Sequence, residues 1–204
     1  MHGIVILDKP AGWTSHDVVA KSRGVLGTPR VGHSGTLDPD ATGVLVLGVG
    51  RATRLLRFLQ GLPKSYSCEV VLGVETSTLD AAGEVTASHD MSAVTPAAVE
   101  AAAATLRGDI LQVPPMVSAI KIGGRRLHEM ARAGEEIERP PRPVRIDRFD
   151  LEPTDDPMVY RAIVDCSSGT YVRSLAADLG AALGGGAHLR GARRSDDGCV
   201  CRDS

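Results

Sequence analysis

Arg30-Val31-Gly32-His33-Ser34-Gly35-Thr36-Leu37-Asp38-Pro39-Asp40-Ala41-Thr42-Gly43 is a polar, glycine-flanked loop that runs straight into the apolar stretch 44–49. Pro39 disfavours helical backbone at Asp38, so this carboxylate is presented from an extended residue with a fixed direction. An Asp-Pro pair is also a common turn starter, and the loop alone leaves both readings open. Upstream, residues 3–7 are a short apolar strand ending in the turn Asp8-Lys9-Pro10-Ala11-Gly12. Thr14 or Ser15 caps a helix to about Leu26, with Val18, Val19, Val25 and Leu26 as its apolar face.

Downstream, 44–49 reads as a buried strand and 52–60 as a helix with Leu55, Leu56 and Leu59 inward and Gly61 as its stop. The alternation Tyr66, Cys68, Val70, Leu72 has period two and predicts a half-buried strand. Thr95-Pro96 opens an alanine-rich helix closed by Gly108. A strand at 118–122, a Gly123-Gly124 turn and a helix over 125–133 ending at Gly134 form an excursion, followed by strands near 144–151 and 159–166. The stripe Val172, Leu175, Ala176, Leu179, Leu183 predicts a last helix over 170–183. Strands joined by turns as well as helices indicate an α+β fold with a mixed, largely antiparallel sheet.

The 204 residues suffice for one ordinary domain that buries roughly 70% of its unfolded surface. With no long apolar run and no signal-like N-terminus, the expectation is a cytoplasmic protein without a membrane span. Cys68 and Cys166 lie in apolar strands, as buried free thiols do, and Cys199-Val200-Cys201 is an incidental pair in a polar tail. No GxxxxGK[ST] loop is present, Leu47-Gly48-Val49-Gly50 lacks the third glycine of a dinucleotide loop, and no histidines have metal-ligand spacing. The expectation is therefore an activity with no cofactor and no metal.

The net charge of −2 conceals segregation. Residues 48–68 hold Arg51, Arg54, Arg57 and Lys64 and no acid, and 110–148 are rich in bases, among them Lys121, Arg125, Arg126, Arg139, Arg142, Arg145 and Arg148. Acids dominate 69–109 and 149–168. Such blocks can present a basic face to a polyanion, or can be solvated faces with no partner.

Several motifs together resemble the bacterial tRNA pseudouridine synthase B (TruB) family. The loop around Asp38 looks like its Gly-x-Leu-Asp-x-x-Ala-Thr-Gly signature, and Leu7-Asp8-Lys9-Pro10-Ala11-Gly12-Trp13-Thr14-Ser15 its opening motif. Lys64-Ser65-Tyr66, Pro114-Pro115-Met116-Val117-Ser118-Ala119 and Cys166-Ser167-Ser168-Gly169-Thr170-Tyr171-Val172-Arg173 follow in the family's order. The resemblance implies a pseudouridine synthase fold over residues 1–194 with an inserted RNA-gripping arm at about 114–143. It implies isomerisation of uridine 55 in the tRNA T-loop to pseudouridine by a monomer that needs no protein partner. Asp38 matches the catalytic residue, as nucleophile or as base, with Arg173 as its ion-pair partner and Tyr66 as the third catalytic position. His33 matches the residue that fills the space of the flipped base, and Tyr66, Tyr171, Lys9 and Ala192 match further substrate-binding positions.

Two departures stand out. Ala192 replaces a leucine ahead of the late Arg-Arg pair, and residues 195–204 carry neither the apolar strand nor the C-terminal RNA-binding domain expected. A non-catalytic tRNA-binding or tRNA-folding protein on the same scaffold is the rival reading. A methyl-donor enzyme built on Gly48 and Gly50 is a distant third.

Overall fold

The computed structural model describes residues 1–118, 121–122, 125–126, 130 and 137–198. β1 (Gly3–Lys9) leads to α1 (Ser15–Leu26), β2 (Val31–His33) and β3 (Thr42–Val49); a 3-10 helix (Gly50–Leu55) and α2 (Leu56–Gln60) precede β4 (Lys64–Leu72). β5 (Val74–Thr76) and β6 (Val85–Ser88) form a small separate sheet, followed by α3 (Pro96–Thr105) and β7 (Gly108–Gln112). β8 (Lys121–Ile122) and β9 (Arg125–Arg126) pair in the excursion before β10 (Arg142–Pro153). β11 (Val159–Cys166), α4 (Val172–Ala182) and β12 (Ala187–Asp196) complete the described elements.

The main sheet has eight strands in the order β1-β3-β12-β4-β11-β10-β7, with β2 also on β3. Its pairings are antiparallel except the parallel contact of Arg193 and Arg194 in β12 with Thr42 and Gly43 in β3. The expected mixed, largely antiparallel α+β architecture is the one observed. One core, with Val18 and Val19 of α1 against Val31, Leu45, Leu47 and Val49, lies at the β2–β3 end. A larger core, including Val70, Phe149, Val164, Leu175 and Leu179, lies under α3 and α4. β12 joins the two, and the Asp38 loop lies along this seam.

Local chemistry explains most elements. α1 begins with a capping box in which the Thr14 hydroxyl accepts from the Asp17 N–H and the Asp17 carboxylate accepts from the Thr14 N–H. It stops where Gly27 takes φ 61°, a left-handed cap. Gly43 is needed for a different reason: a Cβ there would meet the Arg194 carbonyl oxygen at 2.1 Å, so only glycine lets β12 lie against β3.

Several expectations need correction. Val25 is 73% exposed and leaves the apolar face of α1, and Leu55 is 50% exposed. Residues 50–55 form a 3-10 helix with three residues per turn, out of phase with a 3.6-residue spacing, so Leu55 turns outward while Leu56 is buried and Leu59 half-buried. Gly108, at φ 85°, opens β7 rather than closing α3, which is capped by Leu106. Arg125 and Arg126 are a strand, not the start of a helix. The Gly123-Gly124 turn, the helix positions 127–129 and 131–133 with the stop at Gly134, and the Cys199 and Cys201 pair lie outside the described residues. The last strand, doubted for want of apolar residues, is present: β12 runs through Ser195 to Asp196 in the middle of the sheet. Among the described residues no helix is long and apolar enough to cross a membrane.

Candidate active site

The loop bearing Asp38 is held on both sides by the opening motif. The Ser15 hydroxyl, first in α1, accepts from the Leu37 N–H at 2.8 Å and donates to the Leu37 carbonyl at 3.2 Å. Beyond Asp38, the Pro39 carbonyl accepts from Lys9 Nζ at 2.8 Å and from the Gly12 N–H at 3.0 Å. Lys9 also donates to the carbonyls of Pro10 (2.9 Å) and Trp13 (2.5 Å) and is fully buried. Burial lowers its pKa, against the opposing pull of Asp40, Asp38 and Asp17. Lys9 does not line the pocket; its ammonium is engaged in fixing the loop.

Asp38 meets Arg173, 135 residues away, in a two-pronged ion pair: Nε to Oδ2 at 2.9 Å and a terminal nitrogen to Oδ1 at 3.1 Å. Arg173 stands in the first turn of α4 and is only 5% exposed. Its remaining donors reach the carbonyls of Thr78 (2.9 Å) and Val117 (3.0 Å) and the carboxylate of Asp80 at 3.4 Å. Two carboxylates and the carbonyls offset both burial and the unfavourable helix dipole at that end. Asp80 is a site residue that sequence reasoning missed. It follows Leu79, whose φ of 63° is the one positive value among the described non-glycine residues, and accepts from the Thr78 hydroxyl at 2.5 Å. Its only signal is a polar turn that looks like any other.

Two cavities, about 270 and 350 Å³, meet at Asp38, Ala41, Arg173, Leu189 and Ala192. The first is walled by Tyr66, Lys64, Tyr171 and Arg194. Half of the Asp38 side chain stays open to this space. Its carboxyl is raised above the ordinary range, because desolvation by the surrounding protein, helped by Asp80, outweighs the pull of Arg173. Burial pushes the Tyr66 phenol up to about 12, so it is neutral at physiological pH and can donate a proton in a hydrogen bond. The Tyr171 phenol is also raised by burial. Tyr171 is pinned by Gln112, whose amide accepts from the Tyr171 N–H (2.8 Å) and donates to its carbonyl (3.1 Å). His33 ends β2 one residue before the pocket wall, edge-on to the His16 ring with centroids 5.4 Å apart. Its pKa is lowered, chiefly by burial. Ala192 lines both cavities. Cys68 and Cys166 are buried free thiols.

Residues 23–172 match the TruB family pseudouridylate synthase (N terminal domain). The chain belongs to this family. It is 57% identical over 196 residues to the tRNA pseudouridine synthase B of Mycobacterium avium, covering 95% of this chain and 63% of that protein. The corresponding protein of an Arthrobacter species is 52% identical over 203 residues, with 97% and 66% covered. This TruB family chain thus spans about two thirds of the length of these relatives. A chain in a crystal structure of a Cbf5-Nop10-Gar1 complex aligns with a TM-score of 0.76 at 30% identity, over 98% of this chain and 50% of that one. A chain in the structure of an H/ACA RNP bound to a substrate RNA containing 2′-deoxyuridine aligns at 0.71 and 27%, over 98% and 49%.

Proposed function

We propose that this TruB family chain is a tRNA pseudouridine synthase that isomerises uridine 55 of the T-loop. The observation that carries the reading is the Asp38–Arg173 ion pair at the junction of two cavities, beside Tyr66. In the reaction the N1–C1′ glycosidic bond breaks, the uracil turns, and a C5–C1′ bond forms; the C5 proton is lost and N1 ends protonated. Arg173 keeps the Asp38 carboxylate oriented, either to attack sugar or base or to take a sugar proton. Tyr66 and Tyr171 offer faces and phenols to the base. No redox partner or energy source is required, so the reading calls for no cofactor.

A uridine inside a folded T-loop is out of reach of Asp38 until it is flipped out, and His33, next to the pocket-lining Ser34, is the residue read as filling the gap. Residues 1–194 are read as the catalytic domain, with the excursion at about 114–143 gripping the T-arm. The protein acts on tRNA in the cytoplasm, as a monomer. Lys9 is read as holding the Asp38 loop rather than touching substrate, since its donors are engaged by backbone carbonyls.

The test is release of tritium from C5-labelled uridine in a T-arm RNA. Release that requires a uridine at position 55 supports the reading. Tight binding with no release would favour a tRNA-folding protein on this scaffold.

A further inference from the structure

Besides Arg173, the pocket wall holds a second charge cluster that the proposed chemistry does not use. Asp197 is fully buried, directly after β12. Its carboxylate lies 3.0 Å from Lys64 Nζ and 3.8 Å from an Arg194 terminal nitrogen, and accepts a hydrogen bond from the Ser34 hydroxyl. Ser34, Lys64 and Arg194 are themselves buried and all line the cavity that contains Asp38. Among the described residues no other carboxylate pairs with Lys64 or Arg194.

The cluster ties three elements together. Ser34 opens the Asp38 loop, Lys64 stands two residues before Tyr66 in β4, and Arg194 belongs to β12. Arg194 also donates to the carbonyls of Val44 at 2.7 Å and Gly35 at 3.3 Å. The packing has no slack, since a Cβ on Gly35 would meet Lys64 Cε at 3.2 Å and an Arg194 nitrogen at 3.3 Å. Gly198, at φ 69°, packs directly on Leu62, where a Cβ would stand 2.3 Å from the Leu62 Cβ.

We propose that Asp197 is a positioning residue: by bridging Ser34 to Lys64 and Arg194 it fixes the Asp38 loop against the strand that carries Tyr66. A shift of about 1 Å between reacting groups can cost on the order of 100-fold in rate. Removing Asp197 leaves two buried cations without their shared carboxylate, and of the three segments it joins only the one at Ser34 lies outside a strand, so that loop is the partner to shift. The role rests on the proposed catalysis by Asp38, and its test contains a readout that does not.

The experiment compares the full chain with Asp197→Asn and Ser34→Ala, by single-turnover tritium release from T-arm RNA, RNA affinity, melting temperature and amide hydrogen exchange of residues 34–37. At a temperature where each variant is folded, Asp197→Asn should lower the single-turnover rate about tenfold or more. Its RNA affinity should stay within about threefold, and exchange in the loop should be clearly faster. Ser34→Ala should do the same to a smaller degree, and it alone decides if Asp197→Asn does not fold. Loop exchange equal to that of the parent, or unchanged turnover in the folded variants of an active parent, overturns the proposal. A parent chain that releases no tritium overturns the catalytic reading instead, and loop exchange still decides whether Asp197 fixes the loop.

Discussion

The cations that wall the pocket and those on the outer face beside the 3-10 helix carry the same charge in opposite circumstances. Arg173, Arg194 and Lys64 are buried, and each is matched by a carboxylate, with backbone carbonyls taking further donors. Arg30, Arg51 and Arg54 line an open cleft, are exposed, and have no carboxylate partner among the described residues. In the pocket each charge fixes the position of another, because leaving one unpaired away from water costs several kcal/mol. At the surface water and salt do the matching, and the charge remains available to a mobile polyanion. Changes in the first region should therefore act on turnover, and changes in the second on affinity and its salt dependence.

The largest effect is expected from Asp38→Asn, which keeps the shape of the side chain but removes its charge. Turnover in the tritium assay should fall below about 1% of the parent, with RNA affinity within a few-fold, because the lost charge acts on bond breaking. Higher turnover would remove Asp38 from the chemistry and erase the functional distinction between the regions.

Acid should produce the next largest change. The Asp38 carboxyl is raised by desolvation, so the acid limb of kcat for T-arm RNA should lie above the ordinary aspartate range, with about a tenfold loss per pH unit below it. Stability should move the other way. For an acid whose folded pKa is above its unfolded one, the folded state holds its proton more tightly, so this group favours folding as pH falls through the raised value. Melting of the parent and of Asp38→Asn across that window checks the sign: the stability of the parent relative to the variant should rise on acidification.

How far each region is legible in the sequence follows from the same contrast. α1 is marked at both ends by local signals, Thr14 with Asp17 and then Gly27, and needs no tertiary information. β12 is central, yet its last residues, Ser195 and Asp196, read as the start of a polar tail, because the charges at this end, Arg194 and Asp197, are buried by pairing with each other rather than by being apolar. No local pattern distinguishes a charge that will be neutralised by a residue far away in the chain. Family motifs, not spacing, join Asp38 to Arg173 across 135 residues. They also suggest a substrate contact for Lys9, where the three carbonyls around its ammonium are visible only in the fold. Leu55 faces outward because a 3-10 turn changes the phase of the helix, something a 3.6-residue period does not register.

A third prediction concerns the open cleft. The double change Arg51→Glu with Arg54→Glu should weaken T-arm RNA binding about tenfold at low salt. It should also flatten the plot of log affinity against log salt by about two units, as loss of two phosphate contacts would. An unchanged salt slope would make this cleft a solvated face and leave RNA to be held elsewhere.

The smallest effect should come from Arg145, although its stretch of sequence also reads as rich in bases. Residues 110–148 read as a basic segment, and reversal at Arg142 or Arg145 would be expected to weaken RNA binding. The fold separates the two. Arg142 is exposed with no ion pair among the described residues, whereas Arg145 Nε lies 2.7 Å from Asp147 and its terminal nitrogen 3.3 Å from Asp109. The neighbouring Arg148 is likewise 2.5 Å from Asp150. A guanidinium that already faces two carboxylates offers a phosphate little net charge, and drawing it away costs the pairs it leaves. Exposed pairs are individually weak, about 0–1 kcal/mol, but cancellation of the local field does not depend on their strength. Arg145→Gln should therefore change RNA affinity by less than about twofold and leave the salt slope as it is, while Arg142→Gln should reduce the slope by about one unit. Equal effects at the two positions would show that proximity to RNA, and not local neutralisation, decides which surface arginines contribute.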